Sequence, residues 1–364
     1  MKTFIPAGPV PDIRDVLRIT LGRPAVRHAW ADTDTAFFKS GRLALREGIK
    51  KALSEKGGGN TVWLPDYFCD DAVAPLRREK VNIVFYPIGK DLCPDWDRLG
   101  QLAGRNRPDV LVLVHYFGFP STLDEAKRFS AACGASIIED AAHVLTPAAG
   151  IGEGNITIYS PRKLLPIPGG GVLASPGRAM ESGTAKRSPA FLTWAAKNII
   201  KTVMFRMGIG WKGAAPYDRP NGCEWEKDSA SGEYERAVRA MSVNLESIME
   251  RRRANFEHLF SELRESGEES IPFRNLNKDI CPYAFPIFVR DRERTLVRLY
   301  ASGIPARSWS DLPEEVLGNK SVHNGAHWLK GRLVLLPVHQ SLNAGHMEYI
   351  AKSFKKSLRG GGRR

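Results

Sequence analysis

Residues 109–116 read DVLVLVHY, continuously apolar over 110–114, and residues 135–140 read ASIIED, a second strand-like run beyond the helix-spaced stretch 123–133. A strand that is apolar at every position has both faces covered, which is the pattern of a parallel sheet flanked by helices. Working outward, residues 61–65 (TVWLP), 81–88 (VNIVFYPI), 156–160 and 170–174 repeat the signature, with a further helical stretch at 95–103. Upstream, residues 41–54 (GRLALREGIKKALS) set Leu43, Leu45, Ile49 and Leu53 along one helical face. The expected fold class is therefore α/β, a large domain with a mainly parallel central sheet covering residues 1–176.

The pattern breaks at residue 177. Residues 189–211 (PAFLTWAAKNIIKTVMFRMGIGW) form an apolar and basic segment, followed by a polar loop over 212–232, so 177–236 reads as an atypical insertion. A long helix is expected across 234–265, then strands at 283–289 and 333–336 and helices at 291–302 and 347–358. Residues 237–364 thus make a long helix and a smaller C-terminal α/β domain with a basic tail.

Composition narrows the function classes. The chain has 364 residues, 43% of them hydrophobic, with 53 Lys and Arg against 40 Asp and Glu and a net charge of +13. That is enough apolar material for a real core, which excludes a disordered or collagen-like chain. No apolar run reaches the ~18 residues of a spanning helix. The five cysteines are scattered without a CxxC pair, which predicts reduced thiols in a cytoplasmic protein and neither a zinc site nor a disulfide framework. The N-terminal apolar stretch is broken by Pro6, Pro9 and Pro11, unlike a signal peptide. The basic residues are spread out with no nucleic-acid-binding motif, so nucleic acid is not the expected partner. A phosphate-bearing small molecule or an anionic surface fits the charge as well.

Four places at the expected strand ends carry chemistry. Ser40-Gly41-Arg42 opens a helix, where Ser40 could cap it and free N–H groups favour a phosphate. Asp140 ends an apolar strand in Glu139-Asp140-Ala141-Ala142-His143; it either caps the next turn or partners a protonated ring nitrogen. Ser160-Pro161-Arg162-Lys163 sets one lysine in an apolar, proline-stiffened loop before Gly169-Gly170-Gly171. That is the setting of a Schiff-base amine, against the bland alternative of a surface lysine. Tyr67 or Phe68 could stack on a planar cofactor or simply pack in the core. His115 reads as packed near the site, and His339 as lying at the mouth of the small domain. Neither has a metal-ligand partner, and no GxGxxG follows the first strand.

In order and spacing these motifs, together with Val114-His115-Tyr116-Phe117-Gly118, Gly303-Ile304, Trp309 and Leu336-Pro337-Val338-His339, resemble the DegT/DnrJ/EryC1/StrS family of sugar aminotransferases. The resemblance spans roughly residues 35–175 and 237–358. It implies a fold type I enzyme using pyridoxal 5'-phosphate (PLP), with Lys163 as the Schiff-base lysine and proton carrier. Asp140 then partners the pyridine nitrogen, and His143 lies beside the phenolic oxygen. Ser40, Gly41, Arg42 and Ser160 hold the phosphate, and Tyr67 or Phe68 stacks on the ring. It further implies a homodimer moving an amino group, commonly from glutamate, onto a nucleotide-linked keto-sugar in amino-sugar or polysaccharide synthesis. A dehydratase-like member, which would carry His in place of the lysine, and a catalytically idle relative binding through its basic surface are the rivals. The chain departs from the family in the 177–236 interval, where only Arg239-Ala240-Met241-Ser242 is similar to the motif that serves the partner subunit. Residues 189–211 are read either as a packing or dimer-interface helix or as an interfacial helix on a membrane surface.

Overall fold

A computed structural model of the protein describes residues 4–21, 28–30, 32–57, 59–176, 189–210, 232–265, 271–309 and 311–359. The segments 177–188 and 212–231 of the expected insertion, Trp211 and the tail 360–364 lie outside the described residues.

Seven strands form one sheet: β1 (Asp34–Phe38), β2 (Thr61–Pro65), β3 (Asn82–Tyr86), β4 (Val110–Val114), β5 (Ser136–Ala141), β6 (Ile156–Tyr159) and β7 (Gly171–Ser175). Their order is β1-β7-β6-β5-β4-β2-β3. The five strands from β3 to β6 are parallel, whereas β7 runs antiparallel to both β6 and β1. Two reversals return β1 to the direction of β6, so the chain leaves β1 at the same sheet edge where β2, β4, β5 and β6 end. The strand β1 was not apparent in the sequence, because DTAFF is short and its partner β7 lies far along the chain. All five residues of β2, β4 and β7 are buried, as doubly covered strands require.

The helices are α1 (Ile13–Leu21), α2 (Gly41–Glu55), α3 (Asp70–Val73), α4 (Trp96–Ala103), α5 (Leu123–Cys133), α6 (Pro189–Arg206), α7 (Gly232–Met241), α8 (Leu245–Leu263), α9 (Arg292–Ala301), α10 (Glu314–Leu317), α11 (Asn324–Arg332) and α12 (Ala344–Leu358). Local chemistry sets several ends. Asp95 and Asp291 accept the N–H groups of Arg98 and Arg294 and cap α4 and α9. Gly134, at φ +78°, closes α5 in the left-handed conformation that glycine tolerates. The second sheet pairs β8 (Phe285–Phe288) with β9 (Leu333–Leu336) antiparallel, with α8, α9 and α12 packed together beside it.

The expected long helix over 234–265 is in fact two. A 3-10 turn at Ser242–Asn244 separates α7 from α8. There Ser242 donates to the Val238 carbonyl and Asn244 donates to Asp15. Side chains of this kind compete with the helical ladder, and apolar periodicity does not register the break.

Candidate active site

The parallel strands deliver their following residues to one cleft of about 760 Å³, lined by Gly41, Arg42, Phe68, Asp140, His143, Ser160, Arg162, Lys163 and Trp309 among others. Of the residues expected to hold the cofactor, Ser40 and Tyr67 stand back from its wall.

Lys163 ends a 3-10 turn, Pro161–Lys163, that follows β6 directly. Its Nζ lies 3.1 Å from His143 Nε2. On the other side of the imidazole, Nδ1 accepts the Phe117 N–H at 3.4 Å. Phe117 adopts φ +58°, a left-handed conformation rare for an aromatic residue, and its ring stacks on the imidazole at 5.8 Å. Tyr283 also stacks on the imidazole, at 4.3 Å with only 6° between the planes. Burial holds His143 well below the usual histidine range, with the nearby Lys163 charge adding to it, so the ring is neutral.

Asp140, half-buried on β5, accepts the Ala142 N–H at Oδ1 with a distance of 3.0 Å. Burial pushes its carboxyl above the usual range, opposed by Lys163, the Ala142 hydrogen bond and His115. A desolvated carboxyl in a cleft is a group whose ionisation a cationic ligand would stabilise. Beside it, Glu139 points to the other face of the sheet. Burial pushes the Glu139 carboxyl up, but hydrogen bonds from His115, at 2.7 Å, and from the Gly152 and Gly154 N–H groups reverse the net shift. His115 thus belongs to a buried structural pair beneath the cleft and is no part of its wall.

At the start of α2, Ser40 is in the N-cap position with no side-chain capping bond, contrary to the expected cap. Its buried hydroxyl finds no hydrogen-bond partner among the described residues. A Cβ on Gly41 would stand 3.0 Å from the Ser160 Cβ, and one on Gly171 would strike the Ser40 carbonyl. The corner between α2 and the Ser160 turn is therefore held open by two glycines and carries a helix N-terminus, an orphaned hydroxyl and Arg42. Those are the groups that accept a phosphate. Together with the Lys163 amine, the Asp140 carboxyl and the Phe68 ring, they fit the donor set that PLP requires.

Tyr67 and Phe68 separate cleanly. Phe68 lines the cleft, whereas Tyr67 is fully buried and stacks on Trp309 at 4.9 Å. Trp309 carries an indole N–H that is likewise buried and unsatisfied among the described residues. It arrives from the small domain, and from sequence it was one motif residue with no assigned role. Arg162 and Asp71 also line the cleft without having been singled out as site residues.

Lys163 also faces a second cavity of about 440 Å³, between the sheet domain and the β8–β9 unit, whose wall includes Arg252, Tyr283, Arg307 and His339. An N-terminal strap crosses it: the Pro6 carbonyl bonds His339 Nε2 at 3.0 Å, and Arg307 donates to the Ala7 carbonyl at 2.6 Å. Burial holds His339 down to about 3, so it is a neutral anchor for the strap. Among the described residues, no group of three His, Cys, Asp or Glu side chains could hold a metal ion, and no helix is long and apolar enough to cross a membrane.

No family model matches the chain, and no curated protein matches it. Solved structures do. DesV of S. venezuelae is 17% identical, with 98% of this chain and 99% of that chain covered at a TM-score of 0.69. Spr1654 of Streptococcus pneumoniae, in its PMP form, is 14% identical, with 98% of each chain covered at 0.70. A DegT DnrJ EryC1 StrS aminotransferase from Brucella abortus is 17% identical, with 95% of each chain covered at 0.66. Over nearly its whole length, the chain has the fold of the DegT/DnrJ/EryC1/StrS-type sugar aminotransferases.

Proposed function

We propose that this chain is a PLP-dependent aminotransferase that moves an amino group from an amino-acid donor, glutamate by resemblance, onto a keto-sugar carried by a nucleotide diphosphate. The observation that carries the reading is the convergence of Lys163, Asp140 and His143 on one cleft, in a fold shared with aminotransferases. A neighbour in its PMP form supports the cofactor. The +13 net charge suits a diphosphate-bearing substrate, and a homodimer in the cytoplasm completes the reading.

When bound, PLP supplies an electron sink for the carbon bearing the amine. Asp140 would keep the ring nitrogen protonated, Phe68 would cover a ring face, and Ser40, Gly41, Arg42 and Ser160 would hold the phosphate. Lys163 Nζ carries the proton that leaves the amine-bearing carbon, a role that needs a desolvated base close to the reacting atoms. His143 Nε2, at 3.1 Å, fixes where that amine sits. Retention of a lysine at position 163 favours transamination over the dehydratase alternative, and the intact Lys163–Asp140–His143 set argues against an idle relative.

The test is the visible spectrum of the purified protein with added PLP, before and after borohydride, followed by mass spectrometry. An absorption band abolished by borohydride, with the adduct on Lys163, is the expected result. No band, or an adduct elsewhere, overturns the assignment.

A further inference from the structure

Among the described residues, the exposed large apolar side chains are concentrated in one place. Of the twelve large apolar side chains exposed among the described residues, eight lie on α1, on α6 or on the three residues that follow α6. Leu21 is 69% exposed, Leu192 58%, Ile200 60% and Met207 65%. Along α6 and just past its end, the exposed Leu192, Ile199, Ile200, Val203 and Met207 recur at helical spacing and form one stripe. The opposite side packs inward through Phe191, Ala195 and Thr202, and Thr202 donates to the Pro11 carbonyl at 2.7 Å. The helix is thus apolar on two faces, and its protein-facing contacts occupy only one of them.

On α6 itself the charges beside the stripe are of one sign. Residues 189–210 contain Lys197, Lys201 and Arg206 and no Asp or Glu, and both lysines are exposed at one border of the stripe. On neighbouring α1, Arg14 is exposed. The nearest acids are engaged: Asp12 with Arg206 at 2.9 Å, and Asp15 with Arg18 and Asn244. Among the described residues the patch keeps a surplus of cations after these pairings, and a self-complementary interface with a second copy would set that surplus against itself. An anionic lipid surface supplies the opposite charge, and its apolar boundary takes the stripe while the lysines reach back to the headgroups.

We infer that the α1–α6 face docks this protein on anionic membrane surfaces, with α6 lying in the interface plane over its length of about 27 Å. Directly behind α6 lies a cavity of about 1,090 Å³, whose far wall includes Pro166 and Gln340, next to the Lys163 turn.

The experiment is flotation of the full chain with vesicles of phosphatidylcholine alone or mixed with phosphatidylglycerol, at low and high salt. Light-scattering mass is measured on the same samples. The wild type should float only with the anionic vesicles and be released by salt. Both Leu192→Ser/Ile200→Ser/Met207→Ser and Lys197→Glu/Lys201→Glu should lose at least tenfold in bound fraction, with unchanged molecular mass and circular dichroism. Absence of flotation by the wild type, or equal flotation on neutral vesicles, overturns the inference. A fall in molecular mass on substituting the apolar stripe would instead make this face a subunit interface. None of these readouts depends on transaminase activity.

Discussion

Arg252, 1% exposed within α8, donates from Nη2 to the carbonyl of Leu164, the residue after Lys163, at 3.1 Å. The same guanidinium donates to the Pro282 and Tyr283 carbonyls at 3.1 Å and to the Gln340 side chain at 2.9 Å. Tyr283 in turn stacks on His143, which contacts Lys163. One buried cation therefore fixes both the backbone beside the reactive amine and the ring that supports its neighbour. Its fan of donors suits a set of carbonyls that a lysine could not reach together.

Arg252→Met should lower kcat on the order of 10- to 100-fold through misplacement of the amine, with a smaller change in KM. It should also cost about 1–3 kcal/mol of stability, because buried carbonyls lose their donors. Steady-state kinetics beside urea unfolding check this, and the borohydride adduct on Lys163 should still form. Unchanged kcat in a folded variant would leave Arg252 a purely structural residue.

Tyr67 and Phe68 should respond in opposite ways. The buried Tyr67 hydroxyl has no hydrogen-bond partner among the described residues, and burial pushes it well above the usual phenol range, so it stays protonated and unsatisfied. Tyr67→Phe should stabilise the protein by about 1 kcal/mol and leave PLP affinity unchanged. Phe68→Ala should weaken PLP binding about tenfold, in keeping with the loss of one ring contact. Thermal melts and cofactor titration of the two variants separate the roles.

At Asp140, burial has raised the carboxyl, so the folded protein holds this proton more tightly than the unfolded chain does. Stability contributed through this group therefore falls as pH rises above 3.8, the ordinary value, through the raised one. Asp140→Asn removes that cost and should gain about 0.5–2 kcal/mol in the cofactor-free protein at neutral pH. It should also abolish transamination, because an amide cannot hold a ring nitrogen protonated. Urea midpoints without cofactor and single-turnover assays with it test the trade.

The buried histidines set the opposite slope. His143 and His339 lie below their ordinary value of 6.5, chiefly through burial, so they stay neutral when folded and take up protons when unfolded. Stability should decline as pH falls below about 6.5, with His339 alone contributing about 2 kcal/mol by pH 5. In His339→Gln the decline between pH 7 and pH 5 should be shallower by that amount. Denaturant midpoints at three pH values provide the measurement.

Continuous apolarity in residues 110–114 was enough to identify a buried parallel strand, because covering both faces of a strand leaves no room for alternation. The order of Lys163, Asp140 and the Ser40 turn was legible for a related reason, since parallel sheets put ligands at strand ends. The edge strand β1, the break between α7 and α8 and the two roles of Tyr67 and Phe68 were not legible. Each depends on a partner distant in the chain: β7 for β1, Asp15 for Asn244, and Trp309 for Tyr67.

The sequence by itself thus determined the α/β class and which residue types reach the sheet edge, because strand periodicity and local turn chemistry are short-range properties. Only the tertiary structure decided which of those residues meet. It stacked Phe117 and Tyr283 on His143, put Arg252 behind Lys163, and left one apolar face of α6 toward solvent. Packing brings together side chains from distant elements, and no pattern within a single segment encodes that proximity.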